Sequence, residues 1–207
     1  MTRTLVALIL PLALPLAVTA QQVPLAAHID VGVTYNESVP RREQVLGYLV
    51  GTRHTEPHRV VEYFQAVSES SDRVAVSEHG RTHEGRPLIH AVVTSPANHA
   101  RLPSILEANR RLSESPGEVE PGQLASMPGI VVLGYSVHGN EASGTEAALL
   151  TLYHLAAGTG PDVQSLLDEL VVLIDPMLNP DGRDRFVDWV NRNRGAVHTT
   201  DSQDREH

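Results

Sequence analysis

Residues Gly129–Leu150 read GIVVLGYSVHGNEASGTEAALL, and the rest of the chain is organised around them. Gly129 to Gly134 is a short, wholly apolar, β-branched run bounded by glycines, which predicts a strand buried on both faces of a parallel sheet. Tyr135 to Asn140 then form a loop. Ser143 followed three residues later by Glu146 has the pattern of a capping box, so a helix is expected to open there and run through Ala147, Leu149, Leu150 and Leu152. His138 and Glu141 are thereby set at the C-terminal end of a central strand. That is where open α/β sheets hold their ligands.

The chemistry open to these two residues follows from their donor atoms. An imidazole nitrogen and a carboxylate oxygen three positions apart, on a bend rather than a helix, can converge on one cation, and Zn²⁺ accepts both. Spacing alone leaves a second reading open, a solvated loop in which the His and the Glu are incidental. The strand before the motif and the helix after it favour the first, because a catalytic site needs rigid support.

Downstream, Gly158 to Pro161 breaks the chain, Asp162 starts a shorter helix through Leu166, Leu167 and Leu170, and Val171 to Ile174 is a second apolar strand. It runs into Asn179-Pro180-Asp181-Gly182, which reads as a tight turn because Pro180 presets φ and Gly182 tolerates a positive one. Asp184 to Arg194 can then form a helical turn or two that carries Arg192 and Arg194 towards the sheet edge. A guanidinium there can stabilise a developing oxyanion. A solvated surface arginine is the other reading of either residue.

Upstream, Val60, Val61, Phe64 and Val67 recur at helical spacing behind Thr55, a cap candidate, and Pro57. Arg73–Glu78 and Pro87–Thr94 flank a turn-like Gly80–Arg86 and read as a β-hairpin. Ser95 caps a helix with Leu102, Ile105, Leu106 and Leu112. Ser113 to Pro128, with three prolines and two glycines, has the composition of an exposed loop. Strand and helix alternate without internal repeats. The expected fold class is therefore α/β, a three-layer sandwich with a mixed, mostly parallel sheet and helices on both faces.

The chain opens with Arg3 before an apolar Leu5–Val18, and Val18-Thr19-Ala20 supplies small residues ahead of Gln21. This pattern reads as a cleaved signal peptide over residues 1–20, which implies a secreted or periplasmic protein. It is followed by a polar lead-in over residues 21–56 with a short helix near Glu43–Val50. The net charge of −9 becomes −10 once Arg3 is removed, and no basic run occurs, so neither nucleic acid nor an anionic membrane is an expected partner. Cysteine is absent, which excludes a disulfide framework, thiolate metal sites and Cys nucleophiles. Any metal must be held by nitrogen and oxygen.

Three separated stretches together resemble the carboxypeptidase A-like zinc metallocarboxypeptidases: EGRPL at Glu84–Leu88, HGNE at His138–Glu141, and NPDG at Asn179–Gly182 followed by an Arg-rich segment. Their order and spacing are similar to the first half of that catalytic domain, over residues 57–207. The resemblance implies a hydrolase that releases C-terminal residues from peptide or protein substrates, with Zn²⁺ as cofactor and His138 and Glu141 as metal ligands. It implies Arg194, twelve residues past Gly182, as the arginine that polarises the scissile carbonyl, with Arg192 as its rival. The family's third zinc ligand is a histidine well downstream that none of His83, His90, His154, His198 or His207 matches. Its general-base glutamate, its carboxylate-clamping Asn-Arg pair and its substrate-covering tyrosine also belong to the second half, and nothing after Arg194 resembles them. The chain is thus expected to be the N-terminal part of such an enzyme, inactive by itself. A related zinc deacylase acting on a small amide and a noncatalytic peptide-binding remnant are the alternative readings.

Overall fold

The computed structural model describes residues 32–118 and 120–193. The signal segment, Arg194, His198 and His207 lie outside them. Within the lead-in, a short helix α1 (Arg42–Leu46) ends on Gly47, whose φ of +79° is the left-handed value a helix C-cap requires. Helix α2 (Pro57–Ser70) starts with its proline in the first turn, and Val60, Phe64 and Val67 are fully buried on one stripe. Its cap residue is Glu56 rather than Thr55.

Strands β1 (Val74–Arg81) and β2 (Pro87–Val93) form the expected antiparallel hairpin around Thr82–Arg86, with Gly85 at φ +82° in the turn. Ser95 accepts a hydrogen bond from the Asn98 amide at the start of α3 (Pro96–Ala100), and a break at Arg101 separates this helix from α4 (Leu102–Glu114). One predicted helix is therefore two, and Leu106 is exposed. The proline-rich stretch after α4 contains a 3₁₀ turn at Pro116–Glu118 and a short helix α5 (Pro121–Ser126). Strand β3 (Gly129–Gly134), helix α6 (Ala142–Ala157), helix α7 (Pro161–Glu169), strand β4 (Leu170–Asp175) and helix α8 (Pro180–Arg192) follow.

The strands form one sheet in the order β1-β2-β4-β3. The α/β class with a mixed sheet holds; among the described strands, β1–β2 and β2–β4 pair antiparallel and β3–β4 pairs parallel. A hairpin fixes the first of these pairings, and β2 then meets β4 head to tail. Ile89, Ala91 and Val93 of β2 lie buried in one core cluster with Val172 and Ile174 of β4, Leu149 and Leu152 of α6, and the stripe of α2. Val39 and Leu46 join the same cluster, so the described part of the lead-in is folded onto this core.

β4 is buried as expected. β3 is not the central, doubly buried strand that its composition predicts: it is an edge among the described strands, and Val132 is 65% exposed. Composition records that a strand suits burial, whereas burial itself depends on which segments lie beside it.

Candidate functional site

The loop after β3 stays tied to the loop after β4. The Tyr135 amide donates to the Asp175 carbonyl (3.0 Å), the Leu178 amide returns a bond to the Tyr135 carbonyl (2.9 Å), and the Thr145 hydroxyl donates to the Pro176 carbonyl (3.0 Å). Ser136 then takes φ +53°, the one non-glycine residue with a positive φ among the described residues, and its hydroxyl donates to the His138 carbonyl (3.1 Å). This reversal brings His138 back beside the start of α6.

Glu141 is the N-cap residue of α6. Its carboxylate turns back onto the loop, where Oε2 accepts from the His138 amide (2.9 Å) and Oε1 lies 2.8 Å from His138 Nδ1. The two predicted metal ligands are thus brought together at the C-terminal edge of β3, and both are open to solvent, at 72% and 50% side-chain exposure. The His138 amide and then its ring hold the Glu141 carboxyl below the usual carboxylate range. A carboxylate oxygen and an imidazole nitrogen 2.8 Å apart are a donor set that one cation can share.

The capping box predicted from Ser143 and Glu146 does not form. Because α6 begins at Ala142, Ser143 lies inside its first turn and Glu146 beyond it. The Glu146 carboxylate is taken by distant groups: Oε1 accepts from the Thr55 amide (2.7 Å) and Arg183 Nη2 (2.9 Å), and Oε2 from Arg42 Nη2 (2.8 Å) and the Thr55 hydroxyl (3.0 Å). Arg42 and Arg183 are 1% and 0% exposed. Sequence reading missed this buried cluster because the groups that bond Glu146 lie 37, 91 and 104 positions from it along the chain. The signal that could have raised it is the pair of arginines inside otherwise core-forming segments.

Asn179–Gly182 is a helix start rather than a free turn. Asn179 Oδ1 accepts from the Gly182 amide (2.9 Å) as the N-cap of α8, with Pro180 in the first turn. Asp181 reaches the hairpin, accepting from the Thr82 hydroxyl (2.7 Å), the Glu84 amide (3.2 Å) and Arg86 Nη1 (2.8 Å). Arg86 also binds Asp184, and Arg185 binds Glu84. On the other side, a Cβ on Gly139 would sit 1.9 Å from the Gly182 carbonyl carbon. Only a glycine allows the two backbones this approach. EGRPL, HGNE and NPDG, far apart in sequence, are therefore consecutive layers of one structure.

The remaining candidates separate clearly. Arg192 is 76% exposed and pairs with Asp188 one turn back on α8 (2.7 Å). His154 Nδ1 bonds the Tyr35 hydroxyl (3.0 Å) at the edge of the core, in keeping with a helix-face role. His90 faces the Ser77 hydroxyl (3.0 Å), while His79, which the sequence did not single out, pairs with Asp175 (3.2 Å). Burial, reinforced by neighbouring His79, pushes the His90 pKa down. No group of three or more His, Cys, Asp or Glu side chains among the described residues is arranged to hold a metal ion. A surface cavity of about 610 Å³ between the C-terminal ends of α2 and α6 is lined by none of the motif residues. No described helix is long and apolar enough to cross a membrane.

Comparison with known proteins bears on the same segments. The sequence profile of the zinc carboxypeptidase family matches residues 60–204. No curated protein sequence matches the chain. Among solved structures, carboxypeptidase A from Helicoverpa armigera is 19% identical, with 71% of this chain and 29% of that chain covered and a TM-score of 0.46. A metallo-carboxypeptidase from Burkholderia cenocepacia is 23% identical, with 63% and 28% covered and a TM-score of 0.40. Bovine thrombin-activatable fibrinolysis inhibitor, solved in complex with tick carboxypeptidase inhibitor, is 13% identical, with 72% and 40% covered and a TM-score of 0.42. The chain spans less than half the length of each.

Proposed function

The chain belongs to the zinc carboxypeptidase family, and on that premise we propose that it carries the first part of a peptidase site, with His138 and Glu141 as two of the zinc donors. The observation that carries this reading is the convergence of His138 Nδ1 and Glu141 Oε1, 2.8 Å apart and solvent-facing, at the C-terminal edge of β3. Their donor chemistry fits zinc, which takes imidazole nitrogen and carboxylate oxygen readily. Zinc held there would supply Lewis-acid chemistry, polarising a carbonyl and acidifying a water.

The chain's own residues contribute the rest. Glu141 stays ionised, so it brings a full negative charge to the cation, and the His138 amide fixes which way its carboxylate points. Residues 57–207 form the catalytic-domain portion in this reading. Arg194, just past the end of α8, is proposed as the guanidinium that faces the oxyanion of a C-terminal peptide bond, and Arg192, already engaged by Asp188, is the weaker choice. The substrate is a peptide or protein, and the segment before Gln21 directs export.

The test is metal analysis and peptide hydrolysis in a longer protein that includes this chain. His138→Ala and Glu141→Ala are each expected to lose bound zinc and activity together, and stoichiometric zinc in both variants would defeat the assignment. Arg194→Ala should lower kcat by roughly 100-fold with little change in KM, as for loss of one oxyanion donor. With two donors among the described residues, the 207-residue chain alone is expected to bind zinc weakly and to release no C-terminal residues from peptides.

A further inference from the structure

Arg183 makes more directed bonds into the neighbourhood of the candidate site than any function proposed above requires. Its guanidinium is wholly buried, and it donates from Nε to the Thr55 carbonyl (3.0 Å), from Nη1 to the Ala142 carbonyl (3.2 Å) and from Nη2 to Glu146 Oε1 (2.9 Å). Burial pushes its pKa down, and the Glu146 charge acts against that shift. Ala142 is the first residue of α6 and follows Glu141 directly. Arg183 is itself in the first turn of α8, one residue past the Gly182 carbonyl against which Gly139 packs. One side chain therefore joins the two helix starts and the segment before α2; its acceptor Ala142 follows Glu141, and its chain neighbour Gly182 packs against Gly139.

We propose that Arg183, with Glu146 as its counter-charge, is the positioning residue of the HGNE segment: it locks the start of α6 onto the start of α8 and so sets where His138 and Glu141 present their donor atoms. An arginine suits the task because its planar fork serves three acceptors at once in fixed directions. A lysine in its place would keep the charge beside Glu146 but could not also reach the Ala142 and Thr55 carbonyls. The consequence for metal rests on the reading of His138 and Glu141 as zinc donors. The consequence for the loop does not.

The experiment compares the 207-residue chain with its Arg183→Lys and Glu146→Gln variants by amide hydrogen exchange and by zinc affinity, the latter measured by competition with a chromophoric chelator. In Arg183→Lys, amides of His138–Ala142 should exchange roughly tenfold faster or more, while those of β4 are accelerated clearly less. Zinc affinity should fall by about 10- to 100-fold, the usual effect of losing a group that orients metal ligands. Glu146→Gln keeps the shape of the side chain and should show the same pattern with a smaller amplitude. Parent rates at His138–Ala142 in both variants would overturn the proposal. So would equal acceleration in β4, which would make Arg183 a stabiliser of the whole domain, and so would unchanged zinc affinity in variants of a parent that binds zinc. A parent that binds no zinc, with the His138–Ala142 amides still released in Arg183→Lys, would sink the zinc reading and leave the positioning role standing.

Discussion

Glu141 and Glu146 stand five residues apart at the head of one helix, each facing basic partners, and they end in opposite circumstances. Glu141 meets His138 in open solvent, where a cation can reach both. Glu146 sits between Arg42 and Arg183, which water does not reach. Exposed pairs contribute little to stability because solvent already satisfies both charges, whereas a desolvated cluster leaves uncompensated charge behind when one member is removed. The contrast teaches that the same kind of contact is frame when enclosed and a candidate ligand set when left to water.

The strongest challenge to that contrast is Glu146→Ala, which strands two buried guanidinium groups and is expected to lower the unfolding free energy by roughly 3–5 kcal/mol. Urea denaturation beside Glu141→Ala decides the matter, since the second variant should lose far less. Equal losses would erase the distinction between the two carboxylates. Gly139→Ala comes next. Its Cβ meets the Gly182 backbone, so a shift of the loop costing about 1–3 kcal/mol is expected, and a neutral result would show that HGNE and NPDG are not interlocked.

Arg86→Ala tests the outer layer, where a partly exposed side chain joins the hairpin to Asp181 and Asp184. Here roughly 1 kcal/mol is expected, and the loss should shrink in high salt, because solvent-accessible pairs are screened. Salt-independence would place this clasp with the buried cluster instead. The smallest effect is the pH response of the exposed pair. The folded-state pKa of Glu141 lies below its unfolded value, so its contribution is present above the ordinary carboxylate range, near about 4.3, and is lost as pH falls through the depressed folded value. Arg183, although burial lowers it, remains a cation at any ordinary pH and adds no slope there. Glu141→Gln should flatten the stability curve slightly on the acid side of about pH 4.5, and an unchanged curve would mean that the bond to the His138 amide does not survive in solution.

Much of the frame was legible because it is local. The hairpin around Thr82–Arg86, the stripe of α2 and the spans of β3 and β4 followed from alternation, helical spacing and turn residues. The meeting of His138 with Glu141 was legible too, since three residues on a bend cannot carry two side chains far apart. What went astray involved choice of partner. Glu146 had the spacing of a capping residue and served distant arginines instead, NPDG had the composition of a turn and became the cap of α8, and Thr55 had the look of a cap and bonded Glu146.

By itself, the sequence determined the four strands and the main helices, which stretches carry the family's motifs, and that any metal must be bound by nitrogen and oxygen, because these follow from residues within a few positions of one another and from composition. Only the tertiary structure decided that β2 pairs antiparallel with β4, that β3 lies at an edge among the described strands, and that EGRPL, HGNE and NPDG stack in contact. The reason is physical: a carboxylate or a strand edge accepts any well-placed donor, and which donor is well placed depends on how segments 37 to 128 residues apart come together.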